Sequence, residues 1–314
     1  MATIEDSRGS QASDRTGNGL ISRLRIPRNA FPWLVLAPIL LYYFVFLIYP
    51  ILYAIWVSLH LWIIENPSAS QFVLFRNYSD LLLPTSRFLD AFRNTLVYVI
   101  VRTVALVPLG LLTALLLYQF RRTQRFYLFC VFAPIVCPSA AIAVLWKWLY
   151  HPRFGPINAQ LAEMGVPRQG FITEAGQALY SVVAVDIWQH IGFGAVIFLA
   201  GLMSIPEQLL EAARIDGASR WQLFWKITLP LLSHTTLFVT VITLIGSFQV
   251  FDLILVMTSG GPGYATYVLS YLIYNEGILR TDMGAASAIS LVMFAIIMVF
   301  TVIQFRLLRP RWEY

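Results

Sequence analysis

Long apolar runs, broken at intervals by short polar segments, dominate the chain. A helix needs about 20 apolar residues to cross the hydrocarbon core of a bilayer. Six stretches qualify: 31–61, 94–120, 126–150, 179–203, 233–257 and 284–308. Pro32, Pro38 and Pro50 are expected to bend the first. Residues 1–30 are polar, rich in Gly, Ser, Asp and Arg, and predict a disordered N-terminal tail, while residues 309–314 form a short C-terminal tail. The apolar stretch after the long tail far exceeds the h-region of a signal peptide, and a small-residue cleavage site is lacking.

Basic residues between the runs set an orientation. Arg8, Arg15, Arg23, Arg25 and Arg28 precede the first run, and Arg121, Arg122 and Arg125 link the second to the third. Arg214, Arg220 and Lys226 link the fourth to the fifth, and Arg306, Arg309 and Arg311 close the chain. With six alternating helices all of these fall on one side. The opposite loops hold only Arg76, Arg87 and Arg93, then Arg153 and Arg168, then Arg280. The bias predicts both termini in the cytoplasm, and an odd number of spans would destroy it.

Composition agrees. Of 314 residues, 58% are hydrophobic and only 12% charged, with mean hydropathy +0.70; a soluble domain carries about 25% charge. The net charge of +6 is explained by membrane orientation, so no nucleic-acid partner is expected. Cys130 and Cys137 lie seven residues apart in one run, two helical turns from each other and too far for a disulfide. The four histidines are scattered without metal-ligand spacing. Neither a metal nor a catalytic site is expected, since no Ser/His, paired-carboxylate or metal constellation falls at one interface.

The segment 204–231 carries the most information. Ser204 and Glu207 have capping-box spacing with Pro206 between them, and Leu209, Leu210 and Ala213 recur at helical intervals. Gly217 is a natural helix stop. Ser219 and Gln222 form a second capping box, Leu223, Phe224 and Ile227 a second apolar stripe, and Pro230 its end. The pattern predicts helix, glycine turn, helix. Such a hairpin can rest on lipid headgroups or dock into a groove of a cytoplasmic partner.

Glu211-Ala212-Ala213, Gly217 after three residues, Ile227 after nine more, then Leu229-Pro230, resembles the EAA loop of permeases in binding-protein-dependent ABC importers. Every fixed position matches. The resemblance implies an all-α integral membrane protein with six transmembrane helices, of the ABC type I importer permease (MetI-like) fold. It implies that Glu211, Ala212, Ala213, Asp216 and Gly217 form the contact with an ATPase subunit. Thr258, Gly260, Gly261, Pro262 and Thr266 are similar to the Thr-x-Gly-Gly-Pro…Thr segment of the carbohydrate-uptake group, which includes maltose, lactose and glycerol-3-phosphate permeases. Gly284-Ala285-Ala286-Ser287-Ala288 and Tyr49-Pro50 also resemble that group, and the likeness covers 31–308. The extra N-terminal helices and large periplasmic domain of the enteric maltose F subunit are lacking.

The implied partners are a second homologous permease (a heterodimer), two cytoplasmic ATPase subunits or domains, an extracytoplasmic solute-binding protein and the lipid bilayer. No Gly-x-x-x-x-Gly-Lys-Ser/Thr motif occurs, so ATP and Mg belong to the ATPase partner, and no cofactor is expected in this chain. The implied location is the bacterial cytoplasmic (inner) membrane. An ion-coupled secondary transporter is the alternative, for which Asp186 and Asp252 are the available intramembrane carboxylates.

Polar groups within the runs are expensive and often functional. A sugar needs hydrogen-bond partners for its hydroxyls and aromatic faces for its C–H surface. Trp188, Gln189, His190, Gln249 and Phe251 can supply both, although Gln189 or His190 can equally tie helices together. Asp252 reads as a helix cap or ion-pair partner. Arg102 and Lys147 either snorkel outward or pair with carboxylates. Trp146, Trp148 and Tyr150 read as an interfacial belt. The Asn77-Tyr78-Ser79 triplet is taken as coincidental rather than as a glycosylation site.

Overall fold

The computed structural model describes residues 31–62, 70–83, 86–120 and 122–307. The expected tails, 1–30 and 309–314, and the arginines assigned to them lie outside the described residues, as does Arg121. The chain divides into two compact units, Met1–Tyr53 and Ala54–Tyr314.

In the first unit, α1 (Phe31–Tyr43) runs through a π-helical turn, Phe44–Ile48, into α2 (Tyr49–Ser58), whose last residues belong to the second unit. Pro38 is accommodated inside α1. Tyr42 and Phe46 pack at 4.8 Å between ring centroids. The helix ends at Ser58 rather than at 61. His60–Leu61 instead forms strand β1, paired antiparallel with β2 (Gln71–Phe72) in the register His60 to Phe72.

The second unit continues with α3 (Arg76–Asp80) and α4 (Phe88–Gln119), which begins six residues before the expected 94. Then come α5 (Gln124–Val136), α6 (Ser139–Leu149), α7 (Pro156–Glu163), a 3₁₀ turn and α8 (Ala175–Met203). A short helical pair, α9 (Glu207–Ile215) and α10 (Arg220–Leu223), leads by a π turn into α11 (Leu229–Leu231). The chain continues as α12 (Ser233–Phe248), α13 (Asp252–Met257), α14 (Leu269–Tyr274) and α15 (Met283–Leu307).

Among the described residues, four helical segments are individually long and apolar enough to cross a membrane: Val35–Ser58, Phe88–Gln119, Ala175–Met203 and Met283–Leu307. Counting each of two bent pairs as one span brings the number to six. In the first pair α5 and α6 meet at 97°. The expected continuous span 126–150 is therefore broken, and the cause is Pro138. A residue before proline is driven out of the helical region, and Cys137 is extended, with ψ 138°. In the second pair, Arg220–Leu231 meets α12 at 66°. The expected span 233–257 is broken as well, at Gln249–Phe251, where Phe251 leaves helical geometry with φ −136°.

The packing is built on close helix approach. α4 and α8 cross where a Cβ added at Gly110 would lie 3.3 Å from the Cα of Gly194. A Cβ at Gly192 would collide with the Val131 carbonyl oxygen, so α8 admits α5 only through that glycine. Without a hydrophobic force between helices in lipid, such small-residue contacts supply van der Waals cohesion. One apolar cluster surrounds Tyr98, Val182, Ile254 and Leu269, and a second surrounds Leu117, Phe198, Leu202 and Leu232. Tyr150 and Trp146 belong to the first cluster's packing rather than to an interfacial belt. Tyr150 is buried and stacks on Phe171 at 4.6 Å, whereas Trp148 is exposed. Asn77 is buried, its amide donating to the Ser58 and His60 carbonyls.

Candidate translocation cavity and coupling hairpin

A buried ion-pair network joins three of the long elements. Arg102 on α4 contacts Asp186 on α8 at 2.6 Å through Nε, with Nη2 3.3 Å from the other carboxylate oxygen. The Tyr98 hydroxyl donates to the same carboxylate at 2.6 Å. Nη1 of Arg102 donates to the Thr243 carbonyl and to Ser247 Oγ on α12, both at 2.9 Å. His190, one turn beyond Asp186, places Nδ1 2.6 Å from its carboxylate and 2.9 Å from its carbonyl. Both neighbours are acceptors, so Nδ1 carries the proton. Unpaired charges would be costly here. Arg102, left open between two roles by the sequence, is thus a carboxylate partner. Lys147 donates instead to the Val256 carbonyl, at 3.2 Å.

Beside the network lies a cavity of about 350 Å³. Arg102, Asp186 and His190 form one wall, and the break after α12 forms another through Gln249, Phe251 and Asp252. Backbone that leaves helical geometry within a membrane span is tolerated only where protein buries it or where it lines a cavity. The Val250 carbonyl freed by the break accepts from Ser270 Oγ. Asp252 opens the first turn of α13, where a carboxylate complements the helix dipole.

Of the five residues expected along a solute path, three meet here: His190, Gln249 and Phe251. The other two point elsewhere. Gln189 is buried, and its amide donates to the Cys137 carbonyl and to Ser139 Oγ, each at 3.2 Å, clasping the α5–α6 bend. Trp188 packs edge-on against Trp146 at 5.3 Å. Sequence reasoning left Tyr98, Ser247 and the Arg102–Asp186 pairing unassembled. Only the unusual cost of a lone arginine and a lone aspartate in apolar runs hinted that they must find each other. Cys130 and Cys137 are free thiols.

The segment 204–231 forms the expected hairpin. α9 ends in a Schellman motif: Ala218 N–H donates to the Ala213 carbonyl at 3.0 Å and Gly217 N–H to Arg214 at 3.1 Å. Gly217 adopts φ +81°, which a side chain at that position would strain. The Ser219/Gln222 capping box is formed, with backbone-to-side-chain bonds of 2.9 and 3.3 Å. The Ser204/Glu207 box is not formed. Pro206 occupies the N-cap of α9, and Ser204 Oγ donates back to the Gly201 carbonyl, closing α8 instead. Leu210 and Ala213 are half-buried, and the remaining α9 residues, including Glu211, Ala212 and Ile215, are exposed, as are Asp216 and Gly217.

At the other end of the bundle, the Thr258–Thr266 turn is held by a 2.7 Å bond between the two threonine hydroxyls and by Thr266 Oγ1 donating to the Gly261 carbonyl at 2.8 Å. A second cavity of about 380 Å³ lies between α3 and the α14–α15 junction. Its Glu276 carboxyl is pushed up by burial and drawn back by Arg280, 3.2 Å away.

Residues 106–314 match the family described as binding-protein-dependent transport system inner membrane component. The chain belongs to this family. Among curated relatives, the sn-glycerol-3-phosphate transport system permease protein UgpA of Escherichia coli (strain UTI89 / UPEC) is 37% identical over 284 residues, spanning 90% of this chain and 95% of that protein. The UgpA proteins of Shigella flexneri and Salmonella typhi are 36% and 35% identical over the same length. A chain of the bacterial alginate ABC transporter, crystallised with an alginate pentasaccharide-bound periplasmic protein, superposes with TM-score 0.79 at 24% identity over 90% of this chain and 95% of that one. That likeness establishes the fold, an all-α ABC importer permease. As a member of this family the chain is a membrane-embedded permease subunit of a transport system.

Proposed function

We propose that this chain is one of two permease subunits of an ATP-driven importer for a sugar or sugar-like solute. A separate binding protein delivers the solute, and ATP is hydrolysed on separate ATPase subunits. The observation that carries the reading is the Schellman-capped α9 hairpin. It is a rigid, exposed element with Glu211 and Asp216 available to basic groups on a partner, and with alanines that permit close approach. Its place in a chain of the binding-protein-dependent family supports an ATPase docking role for Glu211, Ala212, Ala213, Asp216 and Gly217.

Both termini and the hairpin then face the cytoplasm, and the chain resides in the bacterial inner membrane. ATPase closure pushes α9, and spans three to six rock to open outward. The cavity offers His190 and Gln249 for hydroxyl groups and Phe251 for a C–H face. The names of the UgpA relatives and of the alginate transporter support a polyhydroxylated cargo.

Gly217→Leu tests the joint. At φ +81° the added side chain strains the turn, while it would meet only open space. Membrane insertion should therefore persist while uptake by the assembled transporter is lost. Normal uptake by the inserted variant would refute the coupling role.

A further inference from the structure

The two arms of the coupling hairpin carry opposite charge. From Glu207 to Asp216 the chain has three carboxylates, Glu207, Glu211 and Asp216, against one guanidinium, Arg214. From Gly217 to Phe251 it has no carboxylate, and its two fixed charges are Arg220 and Lys226. The arms also differ in apolar character. α9 is rich in small residues and short aliphatics. The second arm presents Trp221, 70% exposed, and Trp225, 49% exposed, one turn apart with their rings edge to face at 5.4 Å.

Geometry places the second arm. Arg220–Leu231 meets the apolar helix α12 at 66°. Membrane spans tilt on average by about 20° from the bilayer normal, so a segment bent this far from one runs nearer the membrane plane. Where α12 makes the crossing, the segment joined to its N-terminal end lies at the headgroups. Tryptophan concentrates at that depth, its indole apolar in body and polar at one edge. Lys and Arg there meet the negative surface of anionic lipids.

We propose that the second arm is an interfacial anchor. Trp221 and Trp225 sit among the headgroups, and Arg220 and Lys226 bind anionic phospholipid. The acidic α9 arm alone is then left for a protein partner. The bilayer becomes the support against which the hairpin turns when α9 is pushed, and the anionic lipid content of the leaflet tunes the coupling. This goes beyond ATPase docking, which concerns the other arm.

The test uses the complete transporter in nanodiscs of phosphatidylethanolamine and phosphatidylglycerol. A nitroxide is attached to Trp221→Cys, with Cys130→Ala and Cys137→Ala removing the native thiols. Collisions with molecular oxygen, which partitions into lipid, should exceed collisions with an aqueous nickel complex. The reverse order, or shielding from both reagents by a covering protein, overturns the proposal. Separately, each basic group near an anionic surface is worth about a fivefold change in association. The double variant Arg220→Gln, Lys226→Gln should therefore need several-fold more phosphatidylglycerol for half-maximal solute-stimulated ATP hydrolysis. An unchanged lipid requirement also overturns it. If the unaltered transporter hydrolyses no ATP in any lipid, the ATPase reading fails, while the nitroxide depth still decides the anchor.

Discussion

Arg102 and Asp186 illustrate how single residues determine what the rest can do. Each alone would be a prohibitive charge inside an apolar bundle. Together, with Tyr98, His190, Thr243 and Ser247, they form a crossbrace from α4 through α8 to α12. Removing one partner leaves the other charge buried and unpaired, a change that costs about 3–5 kcal/mol in such sites. Arg102→Ala should accordingly lower the thermal midpoint of the detergent-solubilised transporter markedly. Arg102→Met combined with Asp186→Leu should recover much of the loss, because an apolar pair of similar volume restores packing without stranding a charge. Equal damage from the single and double variants would mean that the network serves some other role. Gln249 lines the same cavity from the break after α12 and makes no comparable brace. Gln249→Ala should therefore raise the KM for uptake several-fold and leave the thermal midpoint near that of the parent. A drop in stability with unchanged KM would remove Gln249 from the solute path.

At the scale of elements, hydropathy alone located the first four runs and the last to within six residues at each end, because membrane crossing imposes a minimum apolar length whatever the fold, but it misplaced the fifth, where 233–257 was expected and Arg220–Leu231 with Ser233–Phe248 is found. It could not locate the breaks. The α5–α6 bend depends on Pro138 acting through Cys137 and on Gln189 reaching across from α8 to satisfy the freed carbonyl. Apolar periodicity carries no trace of that long-range bond. The break at Gln249–Phe251 lacks a proline or glycine within it, so no local signal announces it. Its cause is tertiary: Ser270 Oγ donates to the Val250 carbonyl that the helix gave up. The hairpin was legible at Gly217 and at Ser219/Gln222, where local chemistry dictates local shape. It was misread at Ser204, where the C-terminus of α8 competes for the same hydroxyl. For the solute path, polarity and aromatic character selected the candidates, but direction around a helix divided them. Gln189 and His190 are neighbours in sequence, and a rotation of about 100° between them sends one to the bend and the other to the cavity.

For the whole molecule the question is what energy source the architecture can use. Ion-coupled carriers hold carboxylates that bind and release a proton or cation as the site alternates between faces. Asp186 is poorly suited to that task. Arg102, Tyr98 and His190 all contact its carboxylate, and releasing or gaining a proton there would disrupt the brace between three spans. Asp252 lies at the cavity edge, in the first turn of α13. The element available to an outside partner is instead the exposed α9 arm. Uptake by the reconstituted transporter should therefore persist when an uncoupler collapses the proton gradient, provided ATP is retained on the ATPase side. It should stop when ATP is depleted with the gradient intact. The opposite pattern, collapse with the uncoupler at constant ATP, would move the driving force to the intramembrane carboxylates and leave the α9 hairpin without a motor to serve.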